Sequence, residues 1–311
     1  MPNKIDLSII ILNFNSADYL QKCLNSIYLS NLDKFKIEII VVDNNSTDNS
    51  IQLAQNLTHN QQKITTKFLL LKENNGFAHG NNQGVKKINK KSRYVLFLNP
   101  DTTVDPSTFK TMINFFDQDS RVDAATCYIN LALTNKMQPE CHRGFPTPWR
   151  SFCYFSGLYK IFPKSKLFNG YFLGHLDKTT IHPIEACVGA FLMIKKSIGQ
   201  EIGWWDEDYF FYGEDIEFCY QIKEKGYQLY FNPQCKITHY QGVSSGLIEK
   251  TKHISKASRQ TKIKVAKAST QAMKIFYQKH YFQKYPKIVQ NLVLFGIKVL
   301  EEKRIAKAKY C

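Results

Sequence analysis

The chain has 311 residues, 43% hydrophobic and 22% charged, which is enough to bury a core and excludes a disordered polymer. Its eight cysteines form no CxxC pair and no ladder of short spacings, which excludes a disulfide framework and a zinc module. The net charge of +16 is uneven: residues 249–311 hold 14 Lys and 2 Arg against 3 Glu, and the rest is close to neutral. A nucleic-acid-binding fold is disfavoured, because the charge sits in one tail and no nucleic-acid motif accompanies it.

Met1 to Asp6 runs straight into the apolar stretch LSIIIL, too short for a signal peptide, and no run reaches the length of a membrane span. A cytoplasmic protein is expected. Leu7 to Leu12 reads as a buried strand, and Ser16 as the cap of a helix over Tyr19 to Leu29. Ile37 to Val42 is a second buried strand, ending at Asp43-Asn44-Asn45-Ser46. Lys67 to Leu71 is a third, followed by the glycine-bearing NNGFAHGNNQGV and a helix to about Ile88. Tyr94 to Leu98 is a fourth, ending at Asn99-Pro100-Asp101; a helix from Pro106 and a strand over Ala124 to Ile129 follow.

Strands alternating with helices imply a parallel sheet, and ligands of such sheets lie beyond the carboxyl ends of the strands. Those ends carry Asn13, Asn15, Asp43, Asn75, Gly76 and Asp101. Residues 130–184 show weak periodicity and read as irregular structure, either shaping an acceptor site or forming a surface excursion. Val188 to Ile194 returns to a strand, Glu214 to Glu224 to a helix ended by Gly226, and Gln228 to Phe231 and Lys236 to His239 to two short strands.

Several of these pieces admit two readings. Asp43 could accept from a nucleobase imide or a ribose hydroxyl, or merely close an Asx-turn. The glycines could admit a ligand to a helix N-terminus or form a plain turn; they do not match GxGxxG. Asp101 could hold a cation on a diphosphate, or sit in a Pro-Asp turn. In WWDEDYFFYGEDIEF, six acids lie among aromatics; helix-dipole effects explain some of them, and sugar recognition beside a desolvated base would explain the grouping. His239 could be a metal ligand or a structural residue.

In order, LSIIILNFNSADYLQKCLNSI, EIIVVDNNSTDNS, NNGFAHGNNQG, YVLFLNPDT, GAFLMIKKS, FFYGEDIEFCYQIKEKGY and ITHYQGVSS closely resemble family-2 glycosyltransferases, and among them the bacterial rhamnosyltransferase-like subgroup of surface-polysaccharide assembly. The resemblance covers about Asp6 to Gly246. It implies a GT-A-type, Rossmann-like α/β fold with a mixed sheet flanked by helices: a catalytic domain over 1–248, with a nucleotide half to about 129 and an acceptor half from 130, then a basic helical extension over 249–311. It implies an inverting, metal-dependent enzyme using a nucleotide-sugar donor and Mn²⁺ or Mg²⁺, with a glycan or polyprenyl-linked acceptor. Asp43 and Asn82 would line the nucleotide pocket. Asp101 matches the last acidic position of the DxD motif, Asp215 the general base with Glu214 beside it, and His239 a histidine that in some members joins the metal shell. The first DxD position is Asn99 here, which can ligate through its amide oxygen but brings no charge; relatives of this pattern often read NPD. The donor sugar could be rhamnose or a UDP-linked hexose.

The tail lies outside these motifs. Its apolar stretch Ile288 to Leu300 is flanked by lysines, which suits either docking on an anionic membrane surface or packing on the domain with a solvated lysine face. Two non-enzymatic classes remain as alternatives: a basic protein that binds nucleic acid or an anionic surface, and an inactive transferase acting as an assembly partner.

Overall fold

The computed structural model describes residues 5–58, 64–240 and 259–310. In chain order the first half is β1 (Leu7–Asn13), α1 (Ala17–Tyr28), β2 (Ile37–Asp43), α2 (Ser50–Thr58), β3 (Thr65–Leu70), α3 (Phe77–Val85), β4 (Tyr94–Leu98), β5 (Thr102–Val104), α4 (Thr108–Gln118) and β6 (Ala124–Leu131). The second half is β7 (Lys136–Met137), α5 (Pro148–Ser156), α6 (Leu158–Ile161), β8 (His182–Ile184), β9 (Phe191–Lys195), α7 (Lys196–Ile202), α8 (Glu214–Glu224), β10 (Leu229–His239), α9 (Arg259–His280) and α10 (Lys287–Tyr310).

The sheet runs β3-β2-β1-β4-β9-β6-β10-β5, with β7 and β8 attached to β6 and β10. Strands β3, β2, β1 and β4 are parallel, as their alternation with helices requires. The expectation of a parallel sheet fails beyond β4: β9 enters between β4 and β6 antiparallel to both. The excursion through residues 130–184 returns the chain from the opposite end, so β9 begins where β4 stops, with Phe191 opposite Leu98. The sheet is therefore mixed, and the segment leading into β9 lies at the carboxyl edge of the parallel strands. The two short strands expected after Gly226 are one, β10, broken in register between Asn232 and Lys236.

β1 and β2 are apolar and almost entirely buried because both faces are covered, α1 contributing Leu20, Leu24 and Ile27. Glycine in α3 serves this packing. A Cβ on Gly80 would lie 2.3 Å from the Leu12 side chain, so the glycine brings helix and sheet together rather than backbone and ligand. Ser16 precedes α1 as expected but does not cap it. Its backbone departs from the extended cap conformation and its hydroxyl bonds Phe14 O; Asp48 Oδ2 accepts from Ala17 N at 3.0 Å instead.

The segment expected to be irregular contains a framed helix. In α5, Thr147 caps the Arg150 N–H, Pro148 starts the helix and Gly157 ends it in the left-handed region. The basic extension packs on the domain through α9, where Phe276 and Tyr277 are buried, and α10 folds back on α9 with Arg304 bonding Ser269. Residues 241–258, which include the end of the ITHYQGVSS motif, lie outside the described residues.

Candidate active site

The chain order turns back at β1: β2 and β3 lie on one side of it, β4 on the other. A crevice at such a switch point is the expected ligand site, and its floor is polar. Asn13 and Asp43 are register partners at the ends of β1 and β2. Asn13 Nδ2 donates to Asp43 Oδ1 at 2.8 Å and to Ser50 Oγ at 2.8 Å, while its buried Oδ1 has no partner among the described residues. Asp43 accepts from Ser46 N at 3.0 Å and Ser46 Oγ at 2.6 Å. The Asx-turn reading is thus realised, with one Oδ2 lone pair still available. Asn15, at φ 50, organises the same turn: its Oδ1 accepts from Thr47 N at 2.8 Å and Asp48 N at 3.3 Å.

Gly76 meets this turn. It has φ 96, and a Cβ there would lie 2.4 Å from Phe210 O, so only glycine lets α3 start here. Asn44 Nδ2 donates to Gly76 O at 3.2 Å, and Asn75 beside it is exposed. Asn82 is committed elsewhere. Its amide donates to Trp205 O at 2.9 Å and Glu207 Oε1 at 2.7 Å and accepts from Trp205 N at 3.1 Å, tying α3 to the turn before α8.

Asp101 and His239 meet. His239 sits in β10 opposite Thr102, and its Nε2 lies 3.1 Å from Asp101 Oδ1. Its Nδ1 lies 2.8 Å from Oε1 of Gln138, a fully buried residue. An amide oxygen can only accept, so Nδ1 carries a proton and Nε2 is the nitrogen turned toward Asp101. Burial works to raise the Asp101 carboxyl, but the charge and hydrogen bond of His239 outweigh it and hold the carboxyl below its ordinary value. The side chains are 15% and 4% exposed. Asn99 is the link to the rest of the edge: its N–H donates to Ala190 O at 3.1 Å, and its carbonyl accepts from Thr102 Oγ1 at 2.7 Å.

Three residues before Ala190, Cys187 O accepts from Arg143 Nη2 at 3.2 Å. The same nitrogen donates to Asp215 Oδ2 at 2.6 Å. Asp101 and Asp215, far apart in sequence, are therefore joined to one edge through Asn99, Ala190, Cys187 and Arg143. Burial opposes the charge on Arg143 and Asp215 more than restores it, so the guanidinium stays protonated. Asp215 is 14% exposed, and among the described residues its Oδ1 accepts only from Ile216 N, so the ion pair leaves lone pairs on both carboxylate oxygens. Glu214, beside it at the start of α8, is buried, and its Oε2 has no hydrogen-bond partner among the described residues. Burial pushes this carboxyl up to about 8, with the Asp215 charge adding to the effect.

That shift has a measurable consequence. Unfolded, a glutamate ionises near ~4.3. Between that pH and about 8 the unfolded chain releases a proton that the folded chain keeps, so stability falls as pH rises through this window and levels off above it. Glu214→Gln keeps the shape and removes the ionisation. Thermal melts across the window should show wild type losing stability relative to the variant, by up to about 1.4 kcal/mol per pH unit. Parallel curves would show that Glu214 ionises freely.

The remaining acids of the aromatic cluster are structural anchors. Glu217 is fully buried and takes bonds from Tyr209 Oη at 2.9 Å and His280 Nε2 at 2.7 Å, while Asp206 pairs with Lys279. Glu207 bonds His79 and Asn82. Helix α9 therefore docks on two acids that the sequence grouped with the sugar site. Sequence reading missed Gln138 and Arg143. The one signal available for Arg143 was a basic residue in a stretch, 141–176, that contains no Asp or Glu.

Among the described residues no three His, Cys, Asp or Glu side chains form a metal cluster. Asp101 and His239 do fit a cation that draws its other ligands from a diphosphate. The pair offers one carboxylate and one imidazole whose outer nitrogen is fixed by a buried amide, the usual support of a ligating histidine.

The chain belongs to glycosyl transferase family 2: the model of that family matches residues 8–179, and that of glycosyl transferase family group 2 matches residues 94–299. The poly-beta-1,6-N-acetyl-D-glucosamine synthase of Staphylococcus aureus is 25% identical over 229 residues, 73% of this chain and 48% of its own. The low-salt glycan biosynthesis hexosyltransferase Agl10 of Haloferax volcanii is 26% identical over 238 residues, 75% of this chain and 65% of its own. The chain thus spans between about half and two thirds of the length of these relatives. The mannosyltransferase PcManGT of Pyrobaculum calidifontis, solved with GDP-Man and Mn²⁺, superposes with a TM-score of 0.56 at 16% identity, over 99% of this chain and 74% of that one. The fold is GT-A.

Proposed function

We propose that the protein is an inverting glycosyltransferase that moves a sugar from a nucleotide-diphosphate donor to a hydroxyl of a glycan or polyprenyl-linked acceptor in surface-polysaccharide assembly. The observation that carries this reading is the shared edge: an Asp101–His239 pair and a partly open Asp215 attached where β4 ends and β9 begins. The names of the two relatives, a glycan synthase and a glycan hexosyltransferase, point the same way.

Asp215 would take the proton of the acceptor hydroxyl on its free lone pairs while Arg143 fixes its orientation. The acceptor oxygen attacks the anomeric carbon opposite the nucleotide, the bond to the diphosphate breaks, and configuration inverts. Asp101 and His239 would hold Mn²⁺ or Mg²⁺, and the imidazole favours Mn²⁺. When bound, the cation offsets charge on the departing diphosphate. Asn13 Oδ1 and the spare lone pair of Asp43 would accept from the base or ribose, with Asn15, Asn75 and Gly76 shaping that wall. A rhamnose donor follows from the subgroup resemblance; a UDP-hexose is the second candidate, favoured by the hexose-handling relatives.

Calorimetry against dTDP-rhamnose, UDP-hexoses and GDP-mannose, with and without Mn²⁺, tests the reading. One donor should bind, more tightly with metal. Asp101→Ala should remove that gain, at least about 10-fold in affinity. A donor bound equally well by wild type and variant at all metal concentrations would refute the site.

A further inference from the structure

We propose that residues 149–167 form a membrane-docking face that seats the protein on a bilayer carrying anionic lipid. Trp149, Phe152, Phe155, Ile161, Phe162 and Leu167 all stand exposed within this short stretch, Ile161 at 68% and Phe152 at 57%. Single exposed apolar residues are ordinary, but a cluster of this size is not. The cluster is also preformed. The ring of Trp149 lies 5.6 Å from that of Phe152 and 6.2 Å from that of Phe168, its Nε1 donates to Leu167 O at 3.0 Å, and Phe162 packs on Phe168. Helix α5 and the loop after α6 thus hold one apolar surface together at little ordering cost on binding.

Charge decides between occupants. From Cys141 to Leu176 the sequence contains no Asp or Glu, while Lys160, Lys164 and Lys166 are exposed on the same excursion. A second copy docked here would set lysines against lysines, which opposes self-association. An anionic bilayer accepts both features: aromatic rings at headgroup level, and lysines whose stems cover apolar surface while their ammonium groups reach phosphate.

Position adds a reason. Helix α5 starts a few residues after Arg143, which holds Asp215, so the proposed face and the support of the candidate base belong to one continuous segment. The basic extension, for which composition suggested either membrane contact or packing on the domain, packs on the domain through α9. Its α9 is anchored on Asp206 and Glu217. Its α10 exposes Ile288, Leu292 and Phe295 along one side and serves here as the comparison surface.

Flotation of the full chain with phosphatidylcholine vesicles, with and without phosphatidylglycerol, tests the proposal and needs no donor, so its outcome is separate from the transferase reading. Wild type should float only with the anionic vesicles. The triple change Phe152→Ser, Phe155→Ser, Ile161→Ser should abolish flotation. Lys160→Ala, Lys164→Ala, Lys166→Ala, which leaves the apolar surface intact, should lower the partition coefficient roughly 100-fold, each lysine near an anionic surface contributing about fivefold. Melting curves confirm folding of both. The proposal is overturned if wild type ignores lipid charge or if both the apolar and the lysine variants of residues 149–167 float like wild type. It is equally overturned if only Ile288→Ser, Leu292→Ser, Phe295→Ser stops flotation, or if light scattering shows a dimer that the changes in residues 149–167 dissolve.

Discussion

Replacing Asp215 by Asn should lower turnover by about 10²–10⁴-fold, the usual contribution of a general base, while donor affinity stays within error. The amide is nearly isosteric and its oxygen can still accept from Arg143 Nη2, so the side chain keeps its place and loses only its capacity to take the acceptor proton. Stability must be followed in parallel, because the buried guanidinium loses its counter-charge; assays belong well below the melting temperature of the variant. A variant that turns over at the wild-type rate would remove Asp215 from the chemistry. Glu214 is not its substitute. Its carboxyl is buried and holds its proton to about pH 8, and a protonated acid cannot accept the acceptor's proton.

The ends of the buried strands were legible because apolar, β-branched runs stop abruptly at polar residues, and a sheet with helices on both faces puts those polar ends in one row. Leu7 to Leu12, Ile37 to Val42 and Tyr94 to Leu98 lie within or coincide with β1, β2 and β4. The mixed sheet was not legible in periodicity alone. An apolar run such as Phe191–Lys195 reads the same in either direction, and its orientation is set by where the preceding excursion leaves the chain. The resemblance supplied the mixed sheet instead.

Side-chain partners were the least legible part of the site. Gln138 and His239 are 101 residues apart, and Arg143 and Asp215 are 72 apart. No local pattern links such pairs. The converse also holds for Asp206 and Glu217: their place near Asp215 in sequence suggested a shared role, yet they face α9, whose Lys279 and His280 lie more than sixty residues on. Local clustering reported a helix start; only the fold separated the acid paired with Arg143 from the acids that hold the extension.

A short segment accordingly supports both ends of the candidate chemistry. Gln138 orients His239 and, just beyond one turn of 3₁₀ helix over Pro139–Cys141, Arg143 orients Asp215. Arg143→Leu should therefore have the largest effect on stability of any single change at the site. It leaves Asp215 without its cation and Cys187 O without that donor. Breaking a buried ion pair from one side typically costs about 3–5 kcal/mol, a fall in melting temperature of about 6–15 °C for a chain of this size. Arg143→Lys should recover only part of this, because an ammonium on a flexible stem cannot reproduce the fixed planar geometry in which Nη2 serves both oxygens. The double variant Arg143→Leu, Asp215→Asn distinguishes a pair from two unrelated losses. If the penalty is the stranded charge, the added Asp215→Asn should cost little or restore stability in the Arg143→Leu background. Additive losses in melting temperature would mean that the guanidinium acts through packing, and that Asp215 is held in place by something other than Arg143.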